Sequence, residues 1–568
     1  MDKRTILALA LVALVVMVTP RLFPSATPKA PTRPPAGNTI PNAPAVTSGR
    51  DPGAIQGATI EPGTAKPAVG SVLSVEAVTQ DSLGAVRPES TTVTGTGARF
   101  VFTNLGAAPV RVDLPGYRAL DKVNQTVAIT SGALPLLSYR VLGMADTTSL
   151  SAIPFALERS TSASGATVLR YRGSGGGRLI VLQYTVVPDS FITRVEGTIE
   201  NQGAGTPAQY VLIDLPTTFQ SFEADSLDDQ NHFAYAAKPR TRNAEGIPFG
   251  KLDPGQRNLV TGPLSWVAAK SKYFMVGVLA PDGDDSFAEN ITVGGARTSK
   301  RATTAHGTIV TRLSNGVFRF DLYAGPQQYN RLQSLGRDFE NSNPYGGWLQ
   351  GIVQPFATMV MKILLWMRAT LRLDYGWLLV IFGISVRLIL WPLNHGAMRT
   401  SMKMQRIQPE LNDIQKRLKA DPQKMQSEMM RVYKEHDMSP FSTFAGCLPL
   451  LLPMPVLFAL FFVFQNTIEF RGVPFLWLTD ISIKDPFYIV PLLMGVSMFV
   501  LSWVGMRNSP PNPQAKMMLY VFPVMMTFLF GNFASGLNLY YAIQNIAAIP
   551  QQWLIAQERG KGVALKKV

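Results

Sequence analysis

The sequence predicts a polytopic α-helical membrane protein that carries a large all-β domain outside the membrane. Long apolar runs concentrate in residues 346–568, whereas residues 71–345 consist of short alternating segments broken by turn residues. Lys and Arg cluster beside the apolar runs. A chain of 568 residues is too long for one hydrophobic core. We therefore expect at least two domains, one in the membrane and one outside it.

The first 70 residues predict a membrane anchor and a linker. Lys3 and Arg4 precede an apolar run over residues 6–18, which is typical of a cleaved signal peptide or an uncleaved signal anchor. Ser25-Ala26, which follows prolines, is a poor cleavage site, so we favour an anchor span over residues 1–23. Residues 24–70 are rich in Pro, Ala, Gly and Thr and predict a linker.

Residues 71–345 predict an antiparallel β-sandwich, because many short strands alternate with turn signals. Examples are residues 98–103, 178–187, 191–199 and 316–323. Gly173–Gly177 lacks the Lys of a phosphate-binding loop, and Asp282–Asp285 lacks the downstream spacing of a calcium loop, so both predict turns. His232 and His306 are isolated in the sequence, which favours structural roles over an enzyme site.

Charge decides how the apolar segments cross the membrane. Residues 395–440 contain nine Lys and Arg and should lie in the cytoplasm by the positive-inside rule. If residues 348–367 crossed the membrane, this loop would lie outside, so residues 346–372 predict an interfacial amphipathic helix. Six spans remain, with both termini and the basic tail 557–568 in the cytoplasm. They are residues 1–23 and, within a five-helix core at 373–556, residues 375–394, 441–465, 485–505, 516–531 and 536–555.

The overall charge of +15 indicates membrane contact rather than direct nucleic-acid binding. From residue 346 onward there are 21 Lys and Arg against 11 Asp and Glu, and the excess flanks apolar spans. That placement predicts contact with anionic lipids. Cys447 is the only cysteine, which excludes a disulfide framework and a cysteine zinc site. We expect no metal and no cofactor.

The basic loop 395–440 predicts a cytoplasmic helical hairpin. Its first helix presents apolar residues at helical spacing. Asp421-Pro422 then supplies an N-cap and a first-turn proline for the second helix. The hairpin is either a solvated structural element or a surface whose methionines and basic residues contact varied partners. The apolar positions are Ile407, Leu411, Ile414 and Leu418 in the first helix and Met425, Met429 and Val432 in the second.

Arg387 is the residue that most strongly indicates function. It lies inside the apolar run 376–393, which contains no acidic residue. A guanidinium stays charged in proteins, and an Arg at the centre of a span costs roughly 2.5 to 3.5 kcal/mol on insertion scales. It either snorkels to the nearby cytoplasmic surface or marks a functional pathway. We favour the pathway.

A polar stripe on the last span predicts a water-accessible helix face opposite this arginine. Ser535, Asn538, Tyr541 and Asn545 recur at steps of three, three and four, and Gln552 continues the line. Asn532 lies in the turn before the stripe, and Gly383 precedes Arg387 by one helical turn. Interhelical hydrogen bonding, worth about 0.6 kcal/mol per bond, is the alternative explanation. We prefer a water-accessible groove.

At these residues the chain resembles the YidC membrane protein insertase family of Gram-negative bacteria, over essentially its whole length. The motifs occur in order and with matching span lengths. They are Thr103–Gly106, Val386-Arg387 with Pro392-Leu393, Met404–Pro409, Gln426–Met430 with Tyr433-Lys434, Gly446–Leu450 with Met454-Pro455, Asp485-Pro486 with Pro491, and Ser535-Gly536 with Leu539–Tyr541.

The resemblance implies an insertase that inserts and folds nascent membrane proteins, alone or with the Sec translocon. It implies a hydrophilic groove with Arg387 at its centre and Tyr541 in contact with substrate. Further implications are an inner-membrane location, a periplasmic β-domain of sugar-mutarotase type, and a hairpin and basic tail that meet the ribosome or the signal recognition particle pathway. Gly383, Pro453 and Asn532 differ from residues that relatives can carry at these positions. The residues that line the groove in relatives therefore cannot all be assigned to this chain.

Two other function classes compete with an insertase. A solute transporter or channel would be expected to carry intramembrane acids or paired broken helices, which the sequence lacks. An enzyme in the β-domain would depend on the two isolated histidines. The insertase performs no covalent chemistry, so we expect no catalytic residue.

Overall fold

The computed structural model describes residues 88–564, except 123, 131–134, 145, 189, 203–206, 297–302, 344–349, 393–406, 408, 420, 437–453 and 508–512. The predicted anchor span, the linker, Cys447, Pro453 and the last four residues of the tail lie outside the described residues. The β-rich part precedes the helical part along the chain, as the sequence predicts.

The first part contains 18 strands and two short helices within the described residues. The helices are α1 (Ser226–Asn231) and α2 (Tyr329–Ser334). The strands are β1 (Ser90–Thr94), β2 (Arg99–Thr103), β3 (Ala108–Arg118), β4 (Thr126–Ala128), β5 (Ser138–Leu142), β6 (Thr147–Ser149), β7 (Ala156–Thr161), β8 (Thr167–Gly175), β9 (Arg178–Val186), β10 (Ile192–Asn201), β11 (Tyr210–Asp214), β12 (Ala234–Pro239), β13 (Glu245–Pro248), β14 (Arg257–Lys270), β15 (Phe274–Leu279), β16 (Ala288–Gly295), β17 (Ala305–Arg312) and β18 (Val317–Pro326).

These strands form one long antiparallel sheet that folds back over its own core, together with a small sheet of β1 to β4. The order in the long sheet is β6-β5-β11-β17-β16-β14-β15-β18-β10-β9-β8-β7, and β12 and β13 join at β14. Tyr139 on β5 and Tyr184 on β9 stand far apart in this order, yet their hydroxyls lie 2.9 Å apart. Both side chains belong to one hydrophobic core. The predicted two-layer β-domain is therefore present, but its layers come largely from one continuous sheet.

The four strands named in the sequence analysis are confirmed. In β9, buried and partly exposed residues alternate strictly, as expected for a strand with one face on the core. Gly176 and Gly177 form the turn that joins β8 to β9, where Gly175 pairs with Arg178. Both glycines have positive φ, of 59° and 70°. This is the two-residue hairpin turn that favours glycine, so the glycine-rich segment is a turn as predicted.

The polar residues of the β-domain that the sequence singled out have structural partners. The carboxylates of Asp282 and Asp285 lie 2.8 Å and 2.5 Å from guanidinium nitrogens of Arg337 and Arg240. His232 follows α1, and its Nδ1 lies 2.8 Å from the carbonyl oxygen of Asp228. Burial lowers the pKa of His232 to about 4, so it is neutral at pH 7. His306 lies exposed on β17.

The second part contains helices at every predicted core span. The helices are α3 (Gln350–Leu371), α4 (Tyr375–Ile389), α5 (Pro422–Glu435), α6 (Met454–Asn466), α7 (Ile489–Met506), α8 (Pro513–Phe530) and α9 (Ser535–Ala564). The helix α9 packs against both α4 and α7, and it extends nine residues beyond the predicted end of the last span. The first eight residues of the predicted basic tail are therefore helical.

Length and hydropathy alone identify fewer spans than predicted. Among the described residues, α7 is long and apolar enough to cross a membrane. Residues 353–371 and α4 meet that test together, although a bend of 117° separates them. Apolar stretches in α6 and α8 are shorter than the test requires. The number of six spans stays a prediction.

The helix α3 has the two-sided character expected of an interfacial helix. Ala357, Val360 and Leu364 point into the core of the helical part. Trp366 is 65% exposed on the other side, whereas Ile363 is partly buried against the core. The bend of 117° directs α3 across the axis of α4 rather than along it. The interfacial position of α3 stays a prediction.

A buried ion pair joins the loop between α6 and α7 to the β-domain. Nε of Arg471 donates to Oε1 and Oε2 of Glu223 at 2.9 Å and 2.8 Å. Nη2 of Arg471 donates to the carbonyl oxygen of Arg118 at 2.9 Å, and the guanidinium lies over the ring of Phe274. Ile468, on the same loop, belongs to the core of the β-domain. The loop thus joins α6 to α7 and also packs into the β-domain.

Candidate functional site

Arg387 lies in the last turn of α4 and meets a neutral partner. Its Nη2 donates to Oε1 of Gln551 at 2.9 Å. Its Nε is buried without a hydrogen-bond partner among the described residues, and no carboxylate within that set pairs with it. A buried donor left unpaired costs about 1 to 3 kcal/mol. The guanidinium is therefore anchored but not neutralised.

Gln551 connects the arginine to the segment that directly follows α4. Its side chain is 1% exposed, and Nε2 donates to the carbonyl oxygen of Trp391 at 3.0 Å. One amide thus accepts from the guanidinium and donates to a backbone carbonyl two residues beyond the end of α4. This geometry holds Nη2 of Arg387 against α9.

The face of α9 that meets α4 carries two further polar residues. Nε2 of Gln544 donates to the carbonyl oxygen of Gly383 at 2.9 Å and to the hydroxyl of Tyr540 at 3.0 Å. The ring of Tyr540 lies 5.8 Å from that of Phe382. Steps of four and seven place Tyr540, Gln544 and Gln551 on one face. We call these three residues the arginine face.

The stripe predicted from the sequence lies on a different face of α9. Nδ2 of Asn545 donates to Oγ of Ser497 on α7 at 3.2 Å, and Nδ2 of Asn538 donates to the carbonyl oxygen of Phe530 at 2.9 Å. The ring of Tyr541 also packs on Phe530, at 5.2 Å. At 3.6 residues per turn, this face is roughly a third of a turn away from the arginine face. Among the described residues, Arg387 hydrogen-bonds to Gln551 and not to the stripe, and the role of the stripe in lining a groove stays a prediction.

The remaining predicted residues occupy other positions. Oγ of Ser535 lies 3.4 Å from the carbonyl oxygen of Asp480, at the opposite end of α9 from Arg387. Ser535 and Gln551 are about 24 Å apart along the helix at 1.5 Å per residue. Asn532 is exposed in the turn before α9. Neither Ser535 nor Asn532 lies beside the arginine.

Gly383 allows close helix contact instead of leaving open space. A Cβ at this position would lie 3.1 Å from Cγ2 of Ile543 and 3.5 Å from Cδ2 of Tyr540. Its carbonyl oxygen accepts the bond from Gln544. Lack of a side chain therefore brings α4 close enough to α9 for Arg387 to reach Gln551.

Three buried polar atoms of the predicted spans lack a hydrogen-bond partner among the described residues. They are Nε of Arg387, Oδ1 of Asn538 and the hydroxyl of Tyr541. Each such group costs free energy in an apolar surrounding, so native proteins retain few of them. Gln544 and Gln551 were missed from the sequence because spacing cannot tell which face of α9 turns toward α4. The sequence feature that could have indicated this contact is Gly383, because a glycine within an apolar helix allows another helix to pack closely against it.

The basic loop forms the predicted helical hairpin in its described portion. Residues 407 and 409–417 are helical, and α5 follows. Oδ1 of Asp421 accepts from the amide of Lys424 at 3.1 Å, which confirms the N-cap. Met425 and Met429 pack on the hairpin's own core, whereas Met430 is exposed. The residues that form this core are Ile407, Leu411, Ile414, Val432 and Tyr433.

Comparison with known proteins relates both halves to one family. Residues 91–359 match the YidC periplasmic domain, and residues 366–561 match the 60Kd inner membrane protein family. The chain is 30% identical over 392 residues to the membrane protein insertase YidC of Chlorobaculum tepidum, covering 66% of this chain and 65% of that relative. It is 30% identical over 404 residues to the YidC insertase of Paraburkholderia phytofirmans, covering 68% of each protein.

Solved structures give a weaker similarity. A crystal structure of an active YidC insertase with its first transmembrane domain resolved matches at 17% identity and a TM-score of 0.33, covering 82% of this chain and 93% of that one. A galactose mutarotase-like protein from Lactobacillus casei matches at 9% identity and a TM-score of 0.31, covering 42% of this chain and all of that protein. These scores are too low to establish a shared fold, so a mutarotase-type β-domain stays a prediction.

Proposed function

The chain belongs to the YidC family of membrane protein insertases, and from that membership we propose that it inserts and helps to fold nascent membrane proteins. These relatives are called membrane protein insertases, a name that describes insertion and no covalent reaction. The same names do not favour a solute transporter or channel. The substrates we propose are polypeptides with apolar segments and short polar flanks.

One observation carries the mechanism: among the described residues, a charged guanidinium near the end of an apolar helix has only a neutral amide as its hydrogen-bond partner. An amide hydrogen-bonds to Arg387 without cancelling its charge. A carboxylate from a passing substrate would add ion-pair attraction to the hydrogen bond and could accept two parallel bonds from the guanidinium. We propose that acidic flanks replace Gln551 transiently at Arg387. The apolar segment then moves into lipid, and Gln551 returns.

The arginine face supports a hydrophilic groove centred on Arg387. Tyr540, Gln544 and Gln551 offer donors and acceptors that can exchange with water or a polar flank. Each unsatisfied polar group costs several kcal/mol in hydrocarbon, so such a path lowers the barrier to crossing. We keep Tyr541 in the proposed substrate path, because its buried hydroxyl lacks a partner among the described residues. Asn545 would then line its α7 side and Asn538 its α8 side.

The topology and partners follow from the charge pattern and from family membership. We propose an inner-membrane protein with six spans, both termini in the cytoplasm, the β-domain in the periplasm and α3 along the outer interface. The separate core of the hairpin supports an independent cytoplasmic element. We propose that the hairpin and the basic tail meet the ribosome, the signal recognition particle pathway or the Sec translocon.

Insertion by purified protein in proteoliposomes tests the role of Arg387. Two substrates are compared, identical except that the crossing flank is acidic in one and neutral in the other. The Arg387→Ala variant should lose insertion of the acidic substrate about tenfold or more, the equivalent of roughly 1.4 kcal/mol. Arg387→Lys should retain most activity if charge alone matters.

Arg507 offers a matched control, since it follows α7 and stacks over Trp503 at 5.3 Å as a snorkelling arginine would. Arg507→Ala should insert both substrates normally. Equal insertion by Arg387→Ala and by the unmodified protein would refute the mechanism. Solute uptake by the same liposomes would instead support a transporter.

A further inference from the structure

We propose that a pocket between α3 and the β-domain binds the headgroup of a phospholipid with a primary amine, of the phosphatidylethanolamine type. The inference goes beyond insertion, but it uses the proposed interfacial position of α3. The pocket has a volume of about 660 Å³, within the range of small-molecule sites. Lys238, Asp338 and Glu340 line it from the β-domain, and Gln354, Met359 and Lys362 line it from α3.

The charges of the pocket match a zwitterion. Nζ of Lys238 lies 3.3 Å from a carboxylate oxygen of Asp338 and donates to the carbonyl oxygen of Arg242 at 2.8 Å, so this pair is internally satisfied. Glu340 and Lys362 have no ion-pair partner among the described residues. Within the part of the chain that the structure describes, one charge of each sign therefore remains without an ion-pair partner. A ligand with one phosphate and one ammonium group meets both.

The polar groups of the pocket favour a primary amine over a quaternary one. Glu340 can accept hydrogen bonds from a primary ammonium, which choline cannot donate. Quaternary ammonium ligands are typically held by cages of several aromatic rings, and Tyr329 is the only aromatic residue among the lining residues. The buried hydroxyl of Tyr329 has no hydrogen-bond partner among the described residues. Glu340 lies close enough to this hydroxyl to influence it electrostatically.

The neighbouring surface of α3 favours a lipid over a soluble zwitterion. Met359 lines the pocket and is 46% exposed, and Trp366 is 65% exposed. Met359 and Trp366 lie on one helix face, since a step of seven is close to two full turns. With α3 in the interface, this apolar face would meet acyl chains. Phosphate near Lys362 and ammonium near Glu340 then place the tails along that face.

Lipid titration of the full-length protein tests the site. The protein in a mild detergent is titrated with short-chain phosphatidylethanolamine, phosphatidylglycerol or phosphatidylcholine, and bound lipid is counted by native mass spectrometry. Lys362→Gln and Glu340→Gln should each weaken phosphatidylethanolamine binding about tenfold, the effect of losing roughly 1.4 kcal/mol of binding energy. Lys251→Gln, at an exposed lysine outside the pocket, is the matched control and should bind normally.

Further titrations distinguish a lipid headgroup from soluble compounds that carry the same phosphate or amine. Soluble glycerophosphoethanolamine and inorganic phosphate should bind at least tenfold more weakly than the lipid, and equal binding by either would overturn a lipid site. Unchanged phosphatidylethanolamine affinity in both pocket variants would also overturn it, as would equal affinity for phosphatidylglycerol. Arg387→Ala should bind the lipid normally, so failure of the insertion mechanism and failure of this site give different results. Thermal unfolding of each variant checks that it is folded.

Discussion

Replacing Arg471 with Met should loosen the junction between the loop after α6 and the β-domain. The guanidinium and the Glu223 carboxylate are 5% and 7% exposed, and the substitution leaves the carboxylate buried without its cation. Removing one member of a buried ion pair costs about 3 to 5 kcal/mol. Since each 1.4 kcal/mol is a factor of ten, the opening equilibrium of this loop should rise at least about 100-fold.

The penalty should depend on pH. Burial raises the pKa of Glu223 to about 7 from its ordinary 4.5, although Arg471 opposes the shift. A carboxyl with a raised pKa in the folded state contributes stability below pH 4.5, and that contribution is lost as pH rises through about 7. Protonation relieves the unpaired charge in Arg471→Met. The variant should therefore be more destabilised at pH 8 than at pH 5.

Hydrogen exchange at the loop amides measures this opening. The amides of Arg471, Val473 and Ile481 donate to backbone carbonyls within the loop, at 3.0 to 3.3 Å. Their protection should fall in Arg471→Met at pH 8 and fall less at pH 5, once the intrinsic pH dependence of exchange is removed.

An exposed ion pair in the same protein provides the control. Arg319 and Glu196 lie 3.1 Å apart with side chains 62% and 45% exposed. Exposed pairs contribute about 0 to 1 kcal/mol, so Arg319→Met should leave protection nearly unchanged. The reasoning would be refuted if Arg471→Met changed loop protection less than tenfold at pH 8, or no more than Arg319→Met does.

Two further predictions concern single side chains. Gln551→Glu places a permanent carboxylate beside Arg387 and should reduce insertion of acidic-flank substrates about tenfold, whereas Gln552→Glu, one residue along α9 and off the arginine face, should not. Equal insertion by the two variants in proteoliposomes would contradict the proposed exchange. Glu469→Gln should stabilise the protein by about 1 to 3 kcal/mol at pH 8 and little at pH 4, measured by thermal unfolding. Burial raises the pKa of Glu469 to about 7, and one of its oxygens has no hydrogen-bond partner among the described residues; stabilisation that was equal at both pH values would contradict this explanation.

The sequence was sufficient to predict those features that depend on a few neighbouring residues. Alternation predicted β9 and glycines predicted its turn, because side-chain period and positive φ are properties of a few neighbouring residues. Asp421 capped its helix for the same reason. Arg387 was recognisable as an anomaly, since a charge in an apolar run needs an explanation wherever that run lies.

Contacts between distant segments required the tertiary structure. The sequence alone determines that Asn538, Tyr541 and Asn545 share a face of α9, but the rotation of that helix against α4 depends on packing at Gly383 and Ile543. The sequence also cannot pair Arg471 with Glu223, which lies 248 residues earlier. Helical period orders residues around one axis, and only the packed neighbours decide which direction each face points. The sequence therefore identified Arg387 as a candidate site residue, and the packing of α9 against α4 determined that Gln551 is its hydrogen-bond partner.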